Sequence, residues 1–237
     1  ATDLFRREAL QFIEKNKDRP FFCYMPFNAP HGASNLDRPR PGVQAPLDYV
    51  RKHYGKYDPD DARRARRLRF MGAVTYMDEA IGQVMDLLTE HGLEGNTIVI
   101  FFSDNGGSGS TADNGSLKGG KGWMFVGGLR VPCIVRWQGV IPEGTVCDQF
   151  LSSMEVLPML CNAAGAKPPR GVVLDGFDMK GVLKGKEKSR RTEMFWQRQV
   201  NKAARVGNIK WVESDRGSGL FDLSKDIGEQ HDLSREE

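Results

Sequence analysis

The chain lacks several features that would assign it to a class at once. None of its four cysteines, Cys23, Cys133, Cys147 and Cys161, stands in a C-x-x-C or other metal-finger spacing, which argues against a zinc module. No run approaches the roughly 18 apolar residues of a membrane-spanning helix, and no basic-then-apolar leader opens the sequence. There is no internal repeat and no low-complexity tract. The formal net charge is only +3 over 237 residues, too small to call for nucleic acid or an anionic membrane as a partner. The first residue is Ala1 rather than Met and lies directly in a charged helical pattern, so we expect any leader to belong to a portion upstream.

What is present is ordinary globular material, 39% hydrophobic and 27% charged, enough for one substantial core. Cys23 and Cys133 sit in apolar strand-like runs and are expected to be buried, packing as small hydrophobes. Residues 2–17 carry Phe5, Ala9, Phe12 and Ile13 at helical spacing, and Pro20 stops the helix. The run 21–27 reads as a buried strand that ends in Asn28, Ala29, Pro30, His31 and Gly32. A long Pro-rich connection, 33–57, is read as a lid or an excursion. Asp58 with Pro59 behind it is the expected cap of a long helix that Gly92 ends, with Phe70, Val74, Met77, Ile81, Val84 and Leu88 as its apolar stripe. The arginines at 63, 64, 66, 67 and 69 wrap around that helix start without interleaved aromatics and are read as a solvated face.

Residues 97–102 are β-branched and aromatic throughout and too few for a buried helix, so the pattern predicts a strand covered on both faces, as in a parallel sheet. A further strand is expected over 131–137 and a helix over 154–164, with Pro158 tolerated in its first turns. The Gly-, Lys- and Pro-rich stretch 167–191 suits a surface connection, and the short runs beyond it suit an antiparallel meander. The fold class expected is α/β, a mostly parallel sheet flanked by helices. Residues 1–185 would form this α/β part and 186–237 a small C-terminal subdomain with antiparallel β structure.

Chemistry is expected where the strand 97–102 stops, since ligands collect at the carboxyl ends of strands in open α/β sheets. There Asp104 and Asn105 place a carboxylate beside an amide oxygen, the hard ligands chosen by calcium or magnesium. Taken alone, the same dipeptide also reads as an Asp-Asn-Gly turn held by its own side chains. Lys118 and Lys121 lie in LKGGKG, where glycines let the backbone approach a tetrahedral oxyanion, although a glycine- and lysine-rich surface loop is an equal reading. His31, at another strand end, is a residue type that can hydrogen-bond an anion or protonate a leaving group near neutral pH, though most single histidines do neither. A metal with a cationic clamp is what a phosphate or sulfate ester hydrolase needs.

The blocks PFFCYMPFNAPHG, YMDEAIGQVMDLL, IVIFFSDNGG, LKGGKGWMFVGGLRVP, SSMEVLPMLCNAAG and LFDLSKDIGEQHDL resemble, in order, those of the sulfatases of arylsulfatase type, within the alkaline-phosphatase-like superfamily. The resemblance implies hydrolysis of sulfuric esters by a formylglycine hydrate with a divalent ion, Ca2+ or less often Mg2+, bound by Asp104 and Asn105. It implies that Lys121 holds the sulfate and that His31 contacts the ester and assists departure of the leaving oxygen. Lys118 is outside the match and stands as a possible anion contact. The expected substrate is a sulfated small molecule or sulfated glycan, with no nucleic acid and no membrane span involved. Such enzymes are often periplasmic, lysosomal or secreted.

The family pattern is also incomplete here. No Cys or Ser stands in C/S-x-P-x-R, the motif whose first residue becomes formylglycine, and the family's early Asp-Asp metal ligands are missing too. The chain is therefore read as the C-terminal portion of a sulfatase, inactive by itself because the covalent route and half the metal shell lie elsewhere. Two alternatives stay open at this level: a phosphodiester or phosphonate hydrolase of the same superfamily, and a non-catalytic, anion-binding pseudoenzyme.

Overall fold

The computed structural model describes residues 1–32, 42–109, 111–168 and 170–235. The chain divides into two compact units, one running to Thr97 with a short return around Thr111, the other beginning at Ile98.

The first unit is helical. Helix α1, Thr2–Asn16, packs against the long helix α3, Ala62–Glu90, and buries Ala9 and Ile13, two of its predicted apolar positions. His91, which caps α3, holds Glu14 of α1 at 2.6 Å. The cap at the start of α3 lies three residues beyond the expected Asp58. Asp58 accepts from the amide of Asp60 in a local turn, while Asp61 accepts from the amide of Arg64 at 3.0 Å and so satisfies the first turn of the helix. The predicted excursion contains an eight-residue helix, α2, Leu47–Tyr54, which covers α3. Its Val50 is fully buried and comes so near Gly72 that a Cβ there would lie 2.7 Å from the valine methyl. Part of the excursion, 33–41, lies outside the described residues.

Two sequence expectations need correction. Residues 21–27 have no regular secondary structure and form no ladder among the described residues. Their side chains alternate: Phe21 and Phe27 turn inward against Phe12 and Phe5, whereas Phe22 and Tyr24 are 71% and 73% exposed. Apolar residues on both faces give a strand the potential to be covered twice; they do not supply the second layer. The same applies to β1, Val99–Phe102, whose described partner is β2, Cys133–Arg136. The pair runs antiparallel with Phe102 opposite Cys133, so the parallel pairing expected of β1 is not seen among the described residues; Val99, Ile100 and Phe101 are half-buried and Phe102 is exposed rather than enclosed. Among the described residues Cys133 is exposed and Cys23 is half-buried, so neither is the enclosed thiol expected.

In the second unit, Ser152 and Glu155 make a reciprocal capping box ahead of α5, Val156–Ala163, with Pro158 in its first turn. The stretch read as a surface connection contains one short helix, α6, Lys180–Leu183. Strands β3, Glu193–Arg198; β4, Asn201–Val206; β5, Ile209–Glu213; and β6, Gly219–Asp222, form an antiparallel meander in that order. Its inner face meets the segment after β1 in one core of Met124, Phe125, Val126, Ala203, Val212, Phe221 and Leu223. Phe125 is 0% exposed, and burial of a side chain of that size contributes about 1.5–3 kcal/mol.

Candidate functional site

The candidate residues of the second unit lie on two loops that fold onto each other. The first follows β1 and carries Asp104 to Gly107. The second, 117–128, carries Lys118 and Lys121 and ends in the one-turn helix α4, Val126–Leu129. The amide of Gly106 donates to Gly128 O at 3.1 Å, and the amide of Lys121 donates to Gly107 O at 3.0 Å. Both bonds need backbones in near contact. A Cβ on Gly127 would sit 2.6 Å from the carbonyl oxygens of Lys118 and Gly119, and one on Gly120 would run into Gly107 O. Only hydrogen fits at these two positions of the second loop, which explains the glycines there.

Asn114 bolts the two loops together. Its Oδ1 accepts from the amide of Gly107 at 2.9 Å, while its Nδ2 donates to Gly107 O at 3.0 Å and to Gly119 O at 2.9 Å. Sequence reasoning passed over this residue, and one signal was available. The tripeptide Asp-Asn-Gly occurs twice, at 104–106 and 113–115. In the second copy Asp113 accepts from the amide of Gly115, the self-satisfied turn such a tripeptide is expected to make. In the first copy the corresponding amide, that of Gly106, goes to Gly128 instead. Asp104 is thus not held in that local turn, and its side chain is exposed. Asn105 donates through Nδ2 to Gly106 O at 3.1 Å, which orients its amide and leaves Oδ1 as an acceptor.

Two adjacent oxygen donors are the right kind for calcium or magnesium but too few to enclose either. Among the described residues no group of three or more His, Cys, Asp or Glu side chains could hold a metal. The donors fit the ion in chemistry, and further ligands would have to come from outside this set.

The two lysines of LKGGKG have different environments. Lys121 is exposed. Lys118 turns inward: its Nζ lies 4.2 Å from the centre of the Phe125 ring and 5.2 Å from that of Phe221, and it donates to Glu229 O at 3.1 Å. His31 belongs to the first unit. It is exposed, follows the cis Ala29–Pro30 bond, and sets Nδ1 2.7 Å from Gly32 O. Since a carbonyl only accepts, Nδ1 carries hydrogen and Nε2 is the ring nitrogen left for other chemistry.

Comparison with known proteins shows the family of the chain. A family model described as Sulfatase matches residues 1–166. The chain belongs to the sulfatase family. It is 30% identical over 216 residues to N-acetylgalactosamine-6-sulfatase of Canis lupus familiaris, a match covering 88% of this chain and 37% of that protein. With steryl-sulfatase of Rattus norvegicus it shares 33% over 193 residues, covering 78% of this chain and 30% of the relative. Among solved structures, Ps i-CgsB in complex with k-i-k-neocarrahexaose is similar at a TM-score of 0.83 and 30% identity, over 98% of this chain and 50% of that one. These sulfatase neighbours imply an alkaline-phosphatase-like α/β fold. The chain spans half the length of this solved structure and less than two fifths of these curated relatives.

Proposed function

We propose that this sulfatase chain carries the leaving-group and part of the metal-binding side of a sulfuric ester hydrolase whose nucleophile lies outside it. The reading rests on one observation: Asp104 and Asn105, outside the self-closed turn that their sequence favours, sit on a loop bonded directly to the loop of Lys121. In this reading Asp104 and Asn105 contribute oxygens to a Ca2+ or Mg2+ ion, which when bound draws negative charge off the sulfuryl group. Lys121 donates to a sulfate oxygen through Nζ and balances charge that grows on the ester as it reacts. His31, as imidazolium, delivers the Nε2 proton to the departing oxygen, so the leaving group departs as a neutral alcohol. Formylglycine, when present, supplies the hydrated aldehyde that attacks sulfur. Lys118, with its ammonium on two aromatic rings, supports the loop.

The proposed substrate is a sulfated saccharide, in keeping with the galactosamine-sulfatase relative and the hexaose-bound neighbour. The test is turnover by the intact gene product of an aryl sulfate, a sulfated hexosamine and the matched phosphate ester. Sulfate turnover that EDTA abolishes is expected, while this chain alone should be inactive. Metal-independent turnover would refute the role given to Asp104 and Asn105, and preference for the phosphate ester would refute the reaction class.

A further inference from the structure

The loop that carries Lys121 is gripped at both ends by one residue far along the chain. Glu229 is 0% exposed. Its Oε2 accepts from the amide of Val126, at the exit of the loop, at 2.5 Å. Its carbonyl oxygen accepts from Nζ of Lys118, at the entrance, at 3.1 Å. Its Oε1 accepts from Nζ of Lys210 in β5 at 2.6 Å, and Lys210 is itself 1% exposed. Within the loop the amide of Gly127 donates to Lys118 O at 2.8 Å, so the two gripped ends are also joined to each other.

The backbone at Glu229 shows that this placement is specified. Its φ of 53° is in the left-handed region, unfavourable for a residue with a Cβ, and persists only where surroundings over-determine it. Beside it, a Cβ on Gly228 would lie 2.8 Å from Ser116 O, so the segment 228–229 presses on the residues leading into the loop. A carboxylate with no exposure needs a countercharge and hydrogen-bond donors. The Glu229 carboxylate finds a donor on the loop, the amide of Val126, and its countercharge on the meander, Lys210, which makes the position of the loop depend on the sheet.

We propose that Glu229, with Lys210, is a positioning residue that sets the loop 118–126 and thereby Nζ of Lys121; its catalytic consequence rests on the reading under Proposed function. The test pairs two measurements on Glu229→Gln, with Met159→Ala as a control that removes a fully buried side chain on α5. In this chain, amide hydrogen exchange at Lys121, Val126 and Gly127 should rise about tenfold or more in E229Q, with the amides of β3 and β4 unchanged. M159A should raise loop and sheet exchange together. In the intact gene product, E229Q should lower kcat/KM for an aryl sulfate about ten- to a hundredfold, as expected of a displaced catalytic group. M159A should leave the rate per folded molecule unaltered.

Unchanged loop exchange in E229Q, a rise shared equally by the sheet, or an unaltered kcat/KM would overturn the proposal. An intact wild-type protein without sulfatase activity would overturn the functional reading instead, and the exchange data would still decide whether Glu229 holds the loop.

Discussion

Removal of the Asn114 amide tests whether the two candidate loops are one construction. In Asn114→Ala three hydrogen bonds are lost, to Gly107 N, Gly107 O and Gly119 O, at 2.9, 3.0 and 2.9 Å. Each contributes about 1 kcal/mol net. Asn114 is half-buried, so water replaces part of the loss, and about 2 kcal/mol is expected. The order of substitutions is a sharper test than the size. Asn114→Asp retains an acceptor for the Gly107 amide but turns a charged oxygen toward two carbonyl oxygens, with no donor left. At neutral pH the order of stability should be Asn, then Ala, then Asp, and acidification that protonates the aspartate should narrow the gap between the last two. All four tryptophans, Trp123, Trp137, Trp196 and Trp211, lie in the second unit, so urea titration followed by their fluorescence reports on that unit alone. With a urea slope of about 2 kcal/mol per molar, the midpoint of the Ala variant should fall by about 1 M. A midpoint unchanged within error, or an Asp variant more stable than the Ala variant at neutral pH, would refute the reasoning.

Other perturbations have equally direct outcomes. Glu155, 0% exposed, takes Arg191 Nε at 3.0 Å and the amide of Ser152 at 2.5 Å; Glu155→Ala strands the guanidinium and opens the capping box. A loss of about 3–5 kcal/mol should appear in the same urea titration. Gly127→Ala has no room for its methyl among the carbonyl oxygens of Leu117, Lys118 and Gly119, and should destabilise the second unit by about 1–3 kcal/mol in the same titration. Hydrogen bonds from the Ser224 hydroxyl, then from its amide, hold the Asp222 carboxyl below its ordinary range. A depressed folded-state value means that Asp222 stabilises the fold above the ordinary aspartate range, about pH 4. That contribution is lost as pH falls through the folded-state value. Asp222→Asn should therefore flatten the acid limb of stability measured by fluorescence between about pH 5 and pH 2.

Helices α1, α3 and α5 and the meander were legible because each repeats a pattern over many residues, at helical or alternating spacing. Single positions were less so. Asp58 and Asp61 are equally good caps in composition, and the choice follows from which amide each side chain can reach. Helix α2 sits in a Pro-flanked polar stretch and owes its place to packing on α3, which no local pattern records. Asn114 and Glu229 act through bonds to backbone atoms 5 to 7 and 103 residues distant, so nothing beside them in sequence marks their partners.

The sequence by itself determined the family, the oxygen-donor chemistry of Asp104 and Asn105 and the glycine-rich form of the second loop, because these depend on residue type and short spacing. Tertiary structure alone decided which of two neighbouring lysines is exposed and which is held on the rings of Phe125 and Phe221. It also decided that β1 pairs antiparallel with β2, and that one buried glutamate grips both ends of the lysine loop, the exit through its carboxylate and the entrance through its backbone carbonyl. Those outcomes depend on which groups meet across long stretches of chain. Burial of Glu229 demands donors and a countercharge, and only the assembled second unit brings Val126, Lys118 and Lys210 to it.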